Sequence, residues 1–320
     1  MCTKYFGGVP TVHPAPNFSA ADDAEILRGA MDGLGTDEDM IIEILTHRSN
    51  QQRQAIAEHF KNVLERDLIE DVKGELGGNF EKVIVALLMP PHEYLCKELK
   101  NAMNGAGTNE GTLIEIICSK SNEEIEKIVE CYEALYERPL VEQVCSETSG
   151  NLGRFLTLIL TKTRNDCNDI DDGDARAKAE ELYAGGEGQL GTEESIFYKV
   201  LAHESFAQLR RIFEEYKEIS GNTIEQALKH ELSGDFLDAL LAVVECVQGP
   251  AIFFARKLHD AMDGMGTDDD TLIRIIVSRS EIDLGSIKQE FEKMYDKTLE
   301  SCIENDTSGD YKRALLALAR

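Results

Sequence analysis

The sequence predicts an all-α protein built from four copies of one helical unit, and three regularities predict it. Gly-Thr pairs recur at Gly35-Thr36, Gly107-Thr108, Gly191-Thr192 and Gly266-Thr267, at intervals of 72, 84 and 75 residues. An acidic residue lies 40 positions after each of those glycines, at Glu75, Glu147, Glu231 and Asp306, with a glycine three positions further on. A serine stands 14 positions after each glycine, at Ser49, Ser121, Ser205 and Ser280. The intervals between copies vary while the offsets inside a copy do not, which marks repeated structural units. No strand alternation or βαβ spacing competes with that reading.

Each copy reads as about five helices. In the first, an amphipathic stretch from Ala20 to Met31 runs into a glycine-rich loop. Thr36 is the expected N-cap of a second helix holding Met40, Ile41, Ile44 and Leu45. Ser49 with Gln52 has the capping-box spacing for a third, repeated as Ser121 with Glu124, Ser205 with Gln208 and, more weakly, Ser280 with Asp283. A fourth helix ends near Glu75, and Gly77-Gly78 opens a fifth that is rich in Val, Ile and Leu up to Met89. Its counterparts are Phe155 to Leu160, Leu237 to Val244 and Ala314 to Ala319, and such nearly continuous apolar helices are expected at the centre of each copy. The resulting division is a tail at 1–17, repeats at 18–89, 90–161, 175–247 and 248–320, and a polar connector at 162–174. Pro10, Pro14 and Pro16 make the tail extended. Because the connector lengthens the second interval, the chain is expected to divide into two pairs of repeats on either side of it.

Composition narrows the function. Hydrophobic residues make up 42% of the chain and charged residues 29%, as in an ordinary globular protein. A formal net charge of −27 is not ordinary; it repels nucleic acid and anionic lipid unless a cation bridges acid to acid. The first ten residues carry no secretory pattern, Cys2 replaces the glycine that myristoylation requires, and the longest apolar run, Val83 to Met89, is too short to span a bilayer. Eight scattered cysteines without a CxxC pair read as reduced structural thiols of a cytoplasmic protein. The seven histidines show no HExxH spacing and no GxSxG elbow is present, so an enzyme is not expected.

The glycine loops carry the chemistry. They read Met31-Asp-Gly33-Leu-Gly35-Thr36, Met103-Asn-Gly105-Ala-Gly107-Thr108 and Met262-Asp-Gly264-Met-Gly266-Thr267. Alternate glycines permit positive φ, so successive carbonyl oxygens can converge on one point. Calcium takes six to eight hard oxygens, backbone carbonyls among them, and three carbonyls plus one carboxylate would leave positions open. Such a site should be weak alone, with a dissociation constant of roughly 10⁻⁴ M or above. The third loop departs from the pattern: it runs Gly185-Gly186-Glu187-Gly188-Gln189-Leu190-Gly191-Thr192, with Gln189 where the others have glycine. A rival EF-hand at Asp169–Glu180 fails because Asp174 occupies the position where the sharp turn requires glycine.

With its four loops and their acids in register over residues 18–320, the sequence resembles the annexins, in particular the four-repeat, short-tailed invertebrate type. The resemblance implies five-helix repeats wound as right-handed superhelices and packed into a slightly curved disc, with Ca2+ bridging the loops to acidic phospholipids of the phosphatidylserine kind. It assigns as ligands the carbonyls of Met31, Gly33 and Gly35 with Glu75, of Met103, Gly105 and Gly107 with Glu147, and of Met262, Gly264 and Gly266 with Asp306. In the third repeat it assigns Gly186, Gln189 and Gly191 with Glu231. Minor calcium positions are implied near Glu38, Glu110, Glu194 and Asp269. Leu34, Ala106, Leu190 and Met265, at the loop tips, are expected to touch either the membrane or their own repeat. The protein implied is cytoplasmic and peripheral on membranes when calcium rises, with no transmembrane segment, no nucleic-acid partner, and a tail open to a protein partner. The alternative is a helical-repeat scaffold that binds proteins alone.

Overall fold

The computed structural model describes residues 8–33, 35–105, 107–189 and 191–320. These form twenty α-helices and no strand. In the first repeat they are α1 (Ala20–Ala30), α2 (Glu38–Thr46), α3 (Asn50–Asn62), α4 (Leu68–Glu75) and α5 (Gly78–Leu88). The second holds α6 (Pro91–Ala102), α7 (Glu110–Cys118), α8 (Asn122–Tyr136), α9 (Leu140–Glu147) and α10 (Gly150–Leu160). The third holds α11 (Asp172–Gly185), α12 (Glu194–His203), α13 (Phe206–Ser220), α14 (Ile224–Glu231) and α15 (Gly234–Gln248). The fourth holds α16 (Pro250–Met262), α17 (Asp269–Arg279), α18 (Leu284–Tyr295), α19 (Leu299–Asp306) and α20 (Gly309–Ala319).

The fifth helix of each repeat is the core element that the apolar runs predict. Every residue from Val83 to Leu88 is buried on α5, and every one from Ala239 to Val244 on α15. Each large aliphatic side chain so buried contributes about 1.5–3 kcal/mol before the entropy of ordering it is subtracted. Capping follows prediction in part. Ser49 with Gln52 and Ser121 with Glu124 form complete capping boxes. Ser205 accepts from the Gln208 amide, but the Gln208 side chain turns away to clasp the backbone N–H and C=O of Asp171.

Three expectations are corrected. The N-cap of α2 is Asp37, whose side chain accepts from the Met40 amide; the Thr36 hydroxyl is directed elsewhere. Ser280 starts no helix: α17 runs on to Arg279, Asp283 is taken up by a two-bond pair with Arg279, and α18 begins at Leu284. The pairing of repeats also differs. The chain up to Tyr94 joins Ala251–Arg320 in one compact unit, and Leu95–Pro250 forms the other, so the connector lies inside a unit. The physical reason is helix packing remote in sequence. In the first unit α2 packs on α20 and α5 on α17; in the second, α7 packs on α15 and α10 on α12.

The first unit is further tied by charge and by the tail. The guanidinium of Arg53, 2% exposed, donates to Glu281 at 2.6 Å and to the carbonyls of Leu87 and Leu45. Lys82 pairs with Asp270 at 2.7 Å, and Arg313 pairs with Asp39. The extended segment after Gly8 is strapped down: the amides of Thr11 and Val12 donate to the Ser280 carbonyl, the Gly285 amide donates to Val9, and the Thr11 hydroxyl donates to Leu318 at 2.6 Å. Gln52 then clasps Ala15 through both its N–H and its C=O. In the connector, Asp171 caps α11, and the helix beginning at Asp172 leaves no twelve-residue EF-hand loop.

Candidate metal centre

Each glycine loop joins the first helix of its repeat to the second and is closed in one way. The Asp37 amide donates to the Ala30 carbonyl at 2.8 Å, Asn109 to Ala102 at 2.8 Å, Asp268 to Ala261 at 2.8 Å and Glu193 to Gly185 at 2.7 Å. Within that closure the backbone turns through left-handed conformations, with φ of +107° and +95° at Gly33 and Gly35, +105° and +108° at Gly105 and Gly107, and +125° and +97° at Gly264 and Gly266. Only glycine adopts these angles without strain. Among the described residues, no hydrogen bond ends on the carbonyls of Met31, Gly33, Gly35, Met103, Gly105, Gly107, Met262, Gly264 or Gly266.

The acid 40 residues on is brought to its loop in every repeat. The Thr36 hydroxyl donates to Glu75 Oε2 at 3.2 Å, and Thr192 donates to Glu231 Oε2. Thr108 reaches the Glu147 carbonyl at 3.2 Å and Thr267 the Asp306 carbonyl at 3.4 Å. From the sequence Thr36 is expected as a helix cap, and no contact with the acid is expected of Thr108, Thr192 and Thr267; their fixed place after the glycine was the available signal. Gly78, Gly150, Gly234 and Gly309, with φ between +61° and +67°, turn the chain just beyond each acid so that it ends its helix beside the loop.

The third loop is one residue longer. Its closing bond spans eight residues, Gly185 to Glu193, where the others span seven, as from Ala30 to Asp37. Gly186 takes the place of Met31, its amide donating back to Leu182 and Tyr183 as Met31 donates to Leu27 and Arg28. Its carbonyl already accepts from the Gln189 amide at 3.1 Å, and among the loop's described residues only Gly191, at φ +91°, is left-handed. Glu187 turns inward, accepting from Tyr216 at 2.8 Å and Asn222 at 2.7 Å. Of the loop-tip residues, Met265 is fully exposed; Leu34, Ala106 and Leu190 lie outside the described residues.

The minor acids stand at the first positions of their helices, and Glu38, Glu110 and Glu194 share clefts with principal ones. A cleft of about 370 Å³ gathers Glu110, Glu147, Glu194, Glu231 and Asp235, with Asn151 donating to Glu194. Another, of about 420 Å³, gathers Glu38, Glu75, Asp310 and Tyr311, and the Tyr311 hydroxyl donates to Asp269 at 2.8 Å. Burial first, and then that bond, push the Tyr311 phenol up from its ordinary value. No three His, Cys, Asp or Glu side chains form a metal cage among the described residues, so a cation at the loops would be held chiefly by carbonyl oxygens. Such a hard, oxygen-only donor set suits calcium and not a soft transition metal.

Fold and loops together define a four-repeat helical protein that presents carbonyl oxygens and one acid at each repeat. The annexin family profile matches residues 22–87, 94–159, 177–243 and 253–318. The chain is 58% identical over 312 residues to annexin B10 of Drosophila melanogaster, covering 97% of each. It is 48% identical over 318 residues to annexin A4 of Homo sapiens, covering 99% of this chain and 98% of the relative. It superposes on annexin III with a TM-score of 0.95 at 43% identity, over 99% of this chain and 98% of the other. On calcium-bound annexin (Sm)1 the TM-score is 0.86 at 34% identity, over 98% and 93%. The chain belongs to the annexin family, whose members bind Ca2+ and, through it, phospholipid.

Proposed function

We propose that this chain is a cytoplasmic protein that attaches peripherally to acidic phospholipid membranes when calcium rises, and so organises membranes or their traffic. The single observation that supports this most is the joining of loop and acid in all four repeats through the threonine hydroxyl. Three loops offer carbonyls on which no hydrogen bond ends among the described residues: Met31, Gly33 and Gly35 beside Glu75; Met103, Gly105 and Gly107 beside Glu147; Met262, Gly264 and Gly266 beside Asp306. In the third, Gly186, Gln189 and Gly191 beside Glu231 make a poorer set, because the Gly186 carbonyl is engaged. Glu38, Glu110, Glu194 and Asp269 would hold secondary ions. A bound calcium ion supplies two positive charges and coordination positions that a lipid phosphate oxygen can fill.

The protein's own part is charge and valency. At −27 it is repelled by anionic lipid until the loops are loaded, so attachment is conditional on calcium. Weak sites on one chain reinforce one another, because each attachment raises the effective concentration of the next. Met265, being fully exposed, would be free to enter the interfacial region. Replacing Glu75, Glu147, Glu231 and Asp306 together with Ala is expected to abolish calcium-dependent sedimentation with phosphatidylserine vesicles. Undiminished sedimentation would overturn this mechanism, whereas vesicle binding that is absent or ignores a chelator would favour the scaffold reading.

A further inference from the structure

The second unit contains a pocket that the calcium loops do not use. It has a volume of about 600 Å³, lies between α9–α10 and α12, and has an overwhelmingly apolar lining that includes Thr157, Leu158 and the Tyr198 ring. Its polar groups are cationic or neutral: Arg154, Lys199 and His203 line it, and no carboxylate does. In a chain of net charge −27 this is unusual. A pocket of this size, apolar with a few convergent polar groups, is the general form of a small-molecule site.

The repeats themselves account for its origin. Counted from the acid of each repeat, Gly153 and Arg154 correspond to Glu81 and Lys82 of the first repeat; counted from the Gly-Thr glycine, Ser195 corresponds to Asp270 of the fourth. In the first unit Lys82 is neutralised by Asp270 at 2.7 Å. In the second, the acid that would neutralise Arg154 has become Ser195. The position that holds Glu81 in the first repeat is Gly153, which lines the pocket without a charge. Arg154 keeps only Asn151 Oδ1, at 3.4 Å, and Lys199 has no ion pair among the described residues. Both are exposed. Where the first and fourth repeats carry Glu81 and Asp270, the second and third thus carry no carboxylate, while Arg154 and Lys199 remain.

We infer that this pocket binds a single-chain anionic amphiphile, a fatty-acid anion, with the alkyl chain along Leu158 and Tyr198 and the carboxylate held by Arg154 and Lys199. Binding needs no calcium, since no loop carbonyl and none of the four calcium acids lines the pocket. Cys145, exposed at its edge with its sulfur 3.1 Å from Thr157 Oγ1, reports occupancy without being required for it.

The test is calorimetric titration of the full chain with oleate, below its aggregation concentration and in excess chelator. One saturable site is expected, weakened about tenfold or more in Arg154→Gln/Lys199→Gln, because each removed charge forfeits a charge-assisted bond. The four-acid variant that loses vesicle binding is expected to bind oleate normally, which separates this inference from the calcium reading. Oleate should slow maleimide labelling of Cys145 but not of the exposed Cys167. The two Gln substitutions lie at exposed positions, and circular dichroism checks that they leave the fold unchanged. Absence of saturable binding, equal binding by the Gln variant or by oleyl alcohol, or unprotected Cys145 would overturn the inference.

Discussion

Tyr132 is completely buried, and its hydroxyl donates to Gln143 Oε1 at 2.6 Å. Burial, reinforced by neighbouring Tyr136, pushes its ionisation up to about 12. In the unfolded chain the same phenol ionises near pH ~10. A folded pKa above the unfolded one means that its contribution to stability is complete below the unfolded value and is lost as pH climbs through the folded one. Tyr216 shifts the same way, through burial and then its bond to Glu187. Tyr132→Phe is therefore expected to flatten the fall in Tm at alkaline pH, between the ordinary phenol value and about 12, and to cost about 1 kcal/mol near neutrality through the lost hydrogen bond. Thermal melts of both chains across that range check this; identical slopes would contradict it.

At the scale of elements, the turn between the fourth and fifth helices is the most repeated device in the chain. Gly78 holds φ +62°, and a Cβ there would meet nothing within 4 Å. Gly78→Ala should thus carry the backbone cost alone, about 1–2 kcal/mol. Gly74→Ala, on α4 with equally open space and an ordinary φ, should be neutral or stabilising. Urea denaturation of the two variants makes the comparison. This turn was legible in the sequence because glycine is nearly obligatory at positive φ, and so were the paired glycines of three loops. Local helix starts were less so. Thr36 and Asp37 are both good caps, and only the position of Glu75, remote in sequence, decides that the threonine serves the acid. The extra residue of the third loop was equally hidden, since Gly185, Gly186 and Gly188 offer several alignments and the closing bond to Glu193 selects one.

For the whole molecule, the pairing of the first repeat with the fourth was beyond local pattern, because it depends on which apolar faces meet after the helices form. The strap after Gly8 reinforces that pairing by bonding to both Ser280 and Gln52. Removing residues 1–17 is expected to expose the Gly285 amide, which now donates to Val9, and to lower the stability of the first unit while sparing the second. Hydrogen exchange, resolved by segment, measures this; equal loss of protection in 95–250 would refute it.

The hydrogen bond from Thr11 to Leu318 has one more consequence. Residues that precede the first repeat and residues that end the fourth thus touch within the first unit, although some 300 positions separate them in sequence. A short peptide joining Gly8 to Arg320, with the chain reopened between Asp166 and Ile170 where every residue is exposed, would sever no helix. Such a permuted chain would be synthesised from the third repeat onward and still reach the same packed units. The partnership of the repeats is thus set by the faces they bury and not by their order along the chain.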